Sequence, residues 1–72
     1  MEIKHFIVNL CKEYSLDIAL YNDIYGHFYT ENETHLDILK ALGALSGFTI
    51  YIYKRIHGDE ITFFNFYSRW DK

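Results

Sequence analysis

Two consecutive segments in the second half of the chain limit the possible folds more than any other feature. Residues 48–56 and 60–70 are rich in β-branched and aromatic side chains, and they flank the short segment His57-Gly58-Asp59. Strand-forming segments separated by a glycine-containing loop are typical of a β-hairpin. The C-terminal half is therefore predicted to be two antiparallel strands.

The length of the hairpin loop decides which side chains share a face, because a one-residue slip turns every side chain of a strand over. A two-residue loop at 58–59 would place Ile52 opposite Asn65 and mix apolar with polar residues. A three-residue loop at 57–59 places Ile52 opposite Phe64 and separates the apolar from the polar residues better. The three-residue loop is the predicted register.

Residues 16–30 also alternate, although less decisively. A turn at Asn22-Asp23-Ile24, where the Asx side chains favour tight turns, would pair Leu20 with Gly26 and keep the aliphatic residues on one face. The predicted structure is thus a second hairpin. A helix over residues 16–27 remains the alternative.

The other two segments have helical periodicity. Thr34 to Asp37 resembles a capping box, and Gly47 stands where a glycine ends a helix, so a helix is predicted over residues 34–46. A first helix is predicted within roughly the first fourteen residues. The apolar stripe of the first helix is Ile3, Phe6, Ile7, Leu10 and Tyr14, and that of the second is Leu36, Ile38, Leu39, Leu42 and Leu45.

The predicted element order is α-β-β-α-β-β within one small α+β domain spanning residues 1–72. Two helices packed on one face of a four-stranded antiparallel sheet bury all of these apolar stripes in the simplest way. The other face of the sheet would then be free of helices.

The composition excludes several classes of function. A net charge of −3 argues against a general binder of nucleic acids or anionic membranes, and the longest apolar runs are too short for a membrane helix. A lone Cys11 without a visible signal peptide fits the cytoplasm. The four histidines have no i, i+4 pair, and known catalytic and phosphate-loop motifs are missing. We therefore expect no metal, no cofactor, no small-molecule substrate and no enzymatic activity, with Cys11 a buried, inert thiol.

The predicted outer face of the sheet, away from the helices, collects most of the tyrosines. Strand propensity alone can place tyrosine on a half-exposed face, but tyrosine and arginine are also enriched at binding hot spots. We therefore predict that this face binds a partner. The candidate binding residues are Tyr21, Tyr25, Tyr29, Tyr51, Tyr53, Arg55, Phe63, Tyr67 and Arg69.

These features predict a non-catalytic protein–protein interaction module, a small modulator or inhibitor of a larger host protein or nucleoprotein machine. Compact proteins of this size are frequent among phage and mobile-element products, including inhibitors of CRISPR nucleases, and this frequency, not a residue pattern, suggests that class. Two alternatives use the same face. One is a homodimeric structural module, and the other is a single-stranded nucleic-acid binder that stacks bases on the aromatic rings.

Overall fold

The computed structural model describes residues 2–59 and 61–71, and it confirms the predicted α-β-β-α-β-β order. Residues 16–30 form two strands, so the alternative helix over 16–27 is wrong. The four strands form one antiparallel sheet in the order β1-β2-β4-β3, with β1 and β3 at its edges. The elements are α1 Ile3–Glu13, β1 Ala19–Asn22, β2 His27–Thr30, α2 Glu33–Ser46, β3 Phe48–Gly58 and β4 Ile61–Trp70.

Both helices pack against the same face of the sheet, where they form a single core. The buried apolar side chains that the strands contribute to the core are phenylalanines, and Phe28 and Phe66 stack at the sheet centre with ring centroids 5.5 Å apart. The buried apolar residues are Ile7, Cys11, Leu16, Phe28, Leu36, Leu39, Phe48, Phe64 and Phe66. The core therefore lies on one side of the sheet, and no helix within residues 2–59 and 61–71 covers the other.

The apolar stripe of α2 is narrower than predicted. Leu36 and Leu39 are buried as expected, but Ile38 is 40% exposed and Leu45 is 87% exposed. Because α2 packs on β3 through its small residue Gly43, which lies against the ring of Phe48, the helix approaches the sheet closely along one line only. Side chains away from that line reach solvent.

The ends of α2 are fixed by polar groups. The side chain of Asn32, and not that of Thr34, caps the N-terminus by accepting a hydrogen bond from the backbone N–H of His35 at 3.0 Å. At the other end Gly47 adopts the left-handed conformation with a φ of +88°, as the sequence predicted.

The predicted register of the C-terminal hairpin is wrong. Gly58 pairs with Ile61, so the connection is shorter than predicted, and Ile52 lies opposite Phe66 instead of Phe64. A β-bulge between Ile52 and Lys54 absorbs one extra residue and exchanges the faces of the side chains beyond it. The start of the last strand was predicted at residue 60, which lies outside the described residues.

The N-terminal hairpin also differs from its prediction. Leu20 lies opposite Phe28 and not Gly26, and the turn comprises residues 23–26. The reason is local: Gly26 takes a φ of +66°, and the side chain of Asn22 accepts a hydrogen bond from the backbone N–H of Tyr25. A bulge between Leu20 and Asn22 accommodates one residue that β1 has in excess of β2 between these two pairs.

The core predicts a large difference between two leucines of the same helix. Leu39 is fully buried, whereas Leu45 is 87% exposed. Leu39→Ala should lower the free energy of unfolding by about 2–5 kcal/mol, because it removes buried methyl groups and leaves a cavity. Leu45→Ala should change it by less than about 0.5 kcal/mol. Urea denaturation followed by circular dichroism measures both, and equal losses would contradict this core.

The contact between α2 and β3 predicts that Gly43 does not tolerate alanine. Alanine ordinarily stabilises a helix by about 1 kcal/mol over glycine. A Cβ atom at Gly43 would, however, lie 2.6 Å from Cε2 and 3.1 Å from the carbonyl oxygen of buried Phe48. Gly43→Ala should therefore lower the melting temperature, with a cost of about 1–3 kcal/mol from overpacking. A raised melting temperature would mean that α2 does not approach β3 this closely.

Candidate protein-interaction surface

The outer face of the sheet carries a continuous group of aromatic rings. Two rows of paired residues cross the four strands, one from Asn22 to Tyr51 through His27 and Tyr67, and one from Ala19 to Lys54 through Tyr29 and Asn65. Tyrosines at the bulges and at the turn extend the first row. We define the tyrosine face as His27 together with Tyr21, Tyr25, Tyr29, Tyr51, Tyr53 and Tyr67.

His27 lies at the centre of this face. Its ring centroid is 5.4 Å from that of Tyr53, 5.7 Å from that of Tyr25 and 6.0 Å from those of Tyr21 and Tyr67. The sequence prediction did not include His27 among the binding residues. The sequence did contain a signal for it, because Tyr25, His27 and Tyr29 follow one another at a spacing of two residues and side chains at that spacing share one face of a strand.

The rings hold one another in place on both sides of His27. Tyr51 and Tyr67 are stacked with centroids 5.1 Å apart, and Tyr21 meets Tyr29 edge to face at 6.3 Å. The guanidinium of Arg69 lies over the ring of Tyr51, 5.2 Å from its centroid. Such contacts restrict the rotamers of the exposed rings before any partner binds.

The pKa of the Arg69 guanidinium is raised above its ordinary value. The first cause is the neighbouring hydroxyl group of Tyr51, and the second is the electrostatic interaction with Tyr51 and Tyr67. The charge of Arg69 lies at the border of the tyrosine face, over the ring of Tyr51.

Arg55 does not belong to this face, contrary to the prediction. The bulge in β3 pairs Arg55 with Phe64, and the guanidinium lies 5.3 Å from the centroid of that buried ring, on the helix side of the sheet. Lys54 takes its place on the outer face, opposite Asn65. Phe63 is on the outer face but pairs with Ile56, farther towards the tip of the hairpin.

Charged groups stand at the border of the tyrosine face. Where β1 begins and β2 ends, Asp17 and Glu31 line a small cavity of about 150 Å³ beside Tyr29. On the same face, Lys54 lies on β3, the strand at the other edge of the sheet, and Arg69 lies on the neighbouring strand β4. The face is thus aromatic at its centre, acidic along one side and basic along the other.

A second concavity lies on the helix side, between α1 and β1. Its volume is about 440 Å³, and its apolar lining includes Leu16, Leu20 and Phe28, with Cys11 in its wall. Burial raises the pKa of the Cys11 thiol from 9.0 to about 11. The predicted buried thiol is confirmed, and its protonated state makes it a poor nucleophile at neutral pH.

Within residues 2–59 and 61–71, no three His, Cys, Asp or Glu side chains come together in a way that could hold a metal ion. Over the same residues, no helix has the length and apolar character needed to cross a membrane. Comparison with protein-family models, with curated proteins and with solved structures found no match.

The raised pKa of Cys11 predicts slow alkylation of the folded protein. At pH 8 the shift from 9.0 to about 11 lowers the thiolate fraction about a hundredfold, and the thiolate is the reactive form. Iodoacetamide should therefore modify native Cys11 at least a hundredfold more slowly than the same protein in urea. The rate should rise about tenfold per pH unit up to about pH 11. Native and denatured protein reacting equally fast would contradict a buried thiol.

Proposed function

We propose that this chain is a non-catalytic protein–protein interaction module that binds a larger protein through the tyrosine face and thereby modulates or inhibits it. The observation that carries the proposal is the continuity of this face. Six of the seven tyrosines and His27 contact one another on the surface that no helix covers. Aromatic side chains with charges at the rim have the composition of an interface core.

Strand propensity accounts for part of this arrangement but not for Tyr25. Tyrosine is favoured on a half-exposed strand, where cross-strand pairs stabilise the sheet. Tyr25, however, lies in the turn between β1 and β2 and is 70% exposed, yet its ring rests against His27. A turn has no preference for tyrosine, so binding gives a better explanation of this side chain.

The edge strands of the sheet are protected against pairing with a further strand, and this indirectly favours the tyrosine face as the binding surface. Unprotected edge strands attract further strands, and proteins prevent this with short strands, bulges and charges. Here β1 has only four residues, both edge strands contain a bulge, and β3 carries Lys54 and Arg55 in sequence beside its bulge. No charged side chain interrupts the centre of the tyrosine face among the described residues. Pairing of a partner strand with the edges of the sheet is therefore disfavoured, whereas binding to the tyrosine face is not.

Charge favours a protein over a nucleic acid as the partner. Binding of a single strand needs a basic path along which the phosphates can lie. Lys54 and Arg69 stand on one side of the face, but Asp17 and Glu31 stand on the other and would repel a phosphate backbone.

The proposal predicts that central tyrosines carry the binding energy. Tyr53→Ala and Tyr67→Ala should each weaken binding of the partner at least tenfold, since truncation of an interface anchor costs about 2 kcal/mol or more. The partner would be recovered from the native host with immobilised wild-type protein, and its affinity for each variant would be measured by calorimetry.

Tyr14 provides a matched control. It is 50% exposed at the C-terminal cap of α1, close to the 47% of Tyr53, but it lies outside the tyrosine face. Tyr14→Ala, Glu13→Ala and Asp37→Ala should bind the partner as the wild type does, and all variants should keep their circular dichroism spectra. Loss of binding in the helix variants with normal binding by the tyrosine variants would refute the proposal.

A further inference from the structure

We infer that in the free protein the tyrosine face is covered by the tyrosine face of a second copy, in a two-fold dimer. The rotation axis would run parallel to the strands, between β2 and β4. The inference goes beyond the proposed function: it assigns to the same surface another occupant, a second copy of this chain, and the geometry of the contact.

The border charges are arranged so that the face complements itself. Asp17 and Glu31 occupy the corner where β1 begins, and Asp23 occupies the turn at the other end of the same side. On the opposite side Lys54 lies on β3, in the row of Ala19 and Tyr29, and Arg69 lies on the neighbouring strand β4, towards the end of the sheet that holds the turn. Lys4 on α1 forms an ion pair with Asp23 at 3.3 Å, so the strongest unpaired acidic corner is that of Asp17 and Glu31.

These charges select one two-fold axis. Rotation about an axis parallel to the strands exchanges the β1 side with the β3 side and brings Lys54 of each copy over Ala19 of the other, beside Asp17 and Glu31. Rotation about an axis across the strands would instead bring Lys54 near Arg69 and the acidic corner near Asp23. Like charges facing each other are disfavoured, so the parallel axis is preferred.

The centre of the face fits the same rotation. Residues His27 and Tyr67 occupy one row in the two central strands, so the rotation places His27 of each copy against Tyr67 of the other. In the other row Ala19 and Lys54 occupy the two ends, and the small side chain comes to lie beneath the long one. Two sheets packed in this way form an aligned β-sandwich with an isologous interface.

The dimer and the complex with a larger protein exclude each other, because both bury the same tyrosines. The tyrosine face spans four strands but only a few residues along each of them. It is small for an obligate interface, which ordinarily buries more than about 1,000 Å² in each partner. We therefore expect a dissociation constant of about 1–100 µM, which a tighter-binding protein can overcome. The dimer would protect the exposed rings until that protein is present.

The test uses the purified protein and charge reversals at the border. Sedimentation equilibrium between about 1 and 500 µM, a range set by the expected affinity, should give a monomer–dimer equilibrium for the wild type. Lys54→Glu alone and Asp17→Lys with Glu31→Lys together should each weaken self-association at least tenfold, because each places like charges opposite one another. Lys40→Glu reverses an exposed charge on α2 and should dimerise as the wild type does.

The decisive measurement mixes the two reversed proteins. In a mixed pair the glutamate introduced at position 54 would face the lysines introduced at positions 17 and 31, and the unchanged Lys54 would face the unchanged Asp17 and Glu31. Both contacts are thereby restored. We expect a heterodimer of near wild-type affinity from two variants that do not form homodimers. A wild type that stays monomeric up to the highest concentration, or reversed variants that dimerise normally, or a mixture that stays monomeric would overturn the inference.

These outcomes remain separate from the proposed function. A monomeric wild type whose Tyr53→Ala variant still loses the larger partner would refute the dimer and leave the protein-binding function intact. Normal partner binding by that variant, together with restored heterodimers, would support the dimer and refute binding of the larger protein through the tyrosine face.

Discussion

Two short helices cover one face of the four-stranded sheet and leave the other bare, and this constraint governs the rest of the molecule. The covered face is built from phenylalanines such as Phe28 and Phe66, which gain stability by leaving water. The bare face cannot use the same residues without exposing a purely apolar surface. Tyrosine resolves the conflict, since its ring packs against neighbouring strands while its hydroxyl group remains hydrated.

The β-bulge in β3 determines which charged side chains lie beside the tyrosine face and which lie on the covered face. Strict alternation would have sent Arg55 outward and Lys54 inward. The extra residue at Tyr53 keeps a tyrosine ring beside His27, sends Arg55 to cover Phe64 and turns Lys54 outward. Arginine is suited to the position it takes, because its planar guanidinium can stack on an aromatic ring while staying partly hydrated. The bulge therefore sets which cation borders the tyrosine face, and it also protects the free edge of β3.

Periodicity predicted the helices, the strands and the separation of tyrosines from phenylalanines, because each depends on local spacing that the fold preserves. It did not predict the registers, which depend on where a bulge absorbs a residue and on turn geometry such as that of Gly26. Arg55 was misplaced for this reason. His27 was missed for a different reason: its position followed from alternation, but the predicted residues were Tyr, Phe and Arg side chains, and histidine was left out although it shares their face.

Under the proposed function, the separation of the aromatic centre from the charged border would limit which partners the tyrosine face accepts. The rings give affinity to any surface with an apolar patch, and they do not by themselves fix an orientation. Orientation comes from the border, where Asp17 and Glu31 oppose Lys54 and Arg69 across the sheet. A partner must therefore present cations on one side of its apolar patch and carboxylates on the other, as the same face turned over does. Under the inferred dimer, a larger protein that displaced the second copy would have to match that charge pattern as well as the rings.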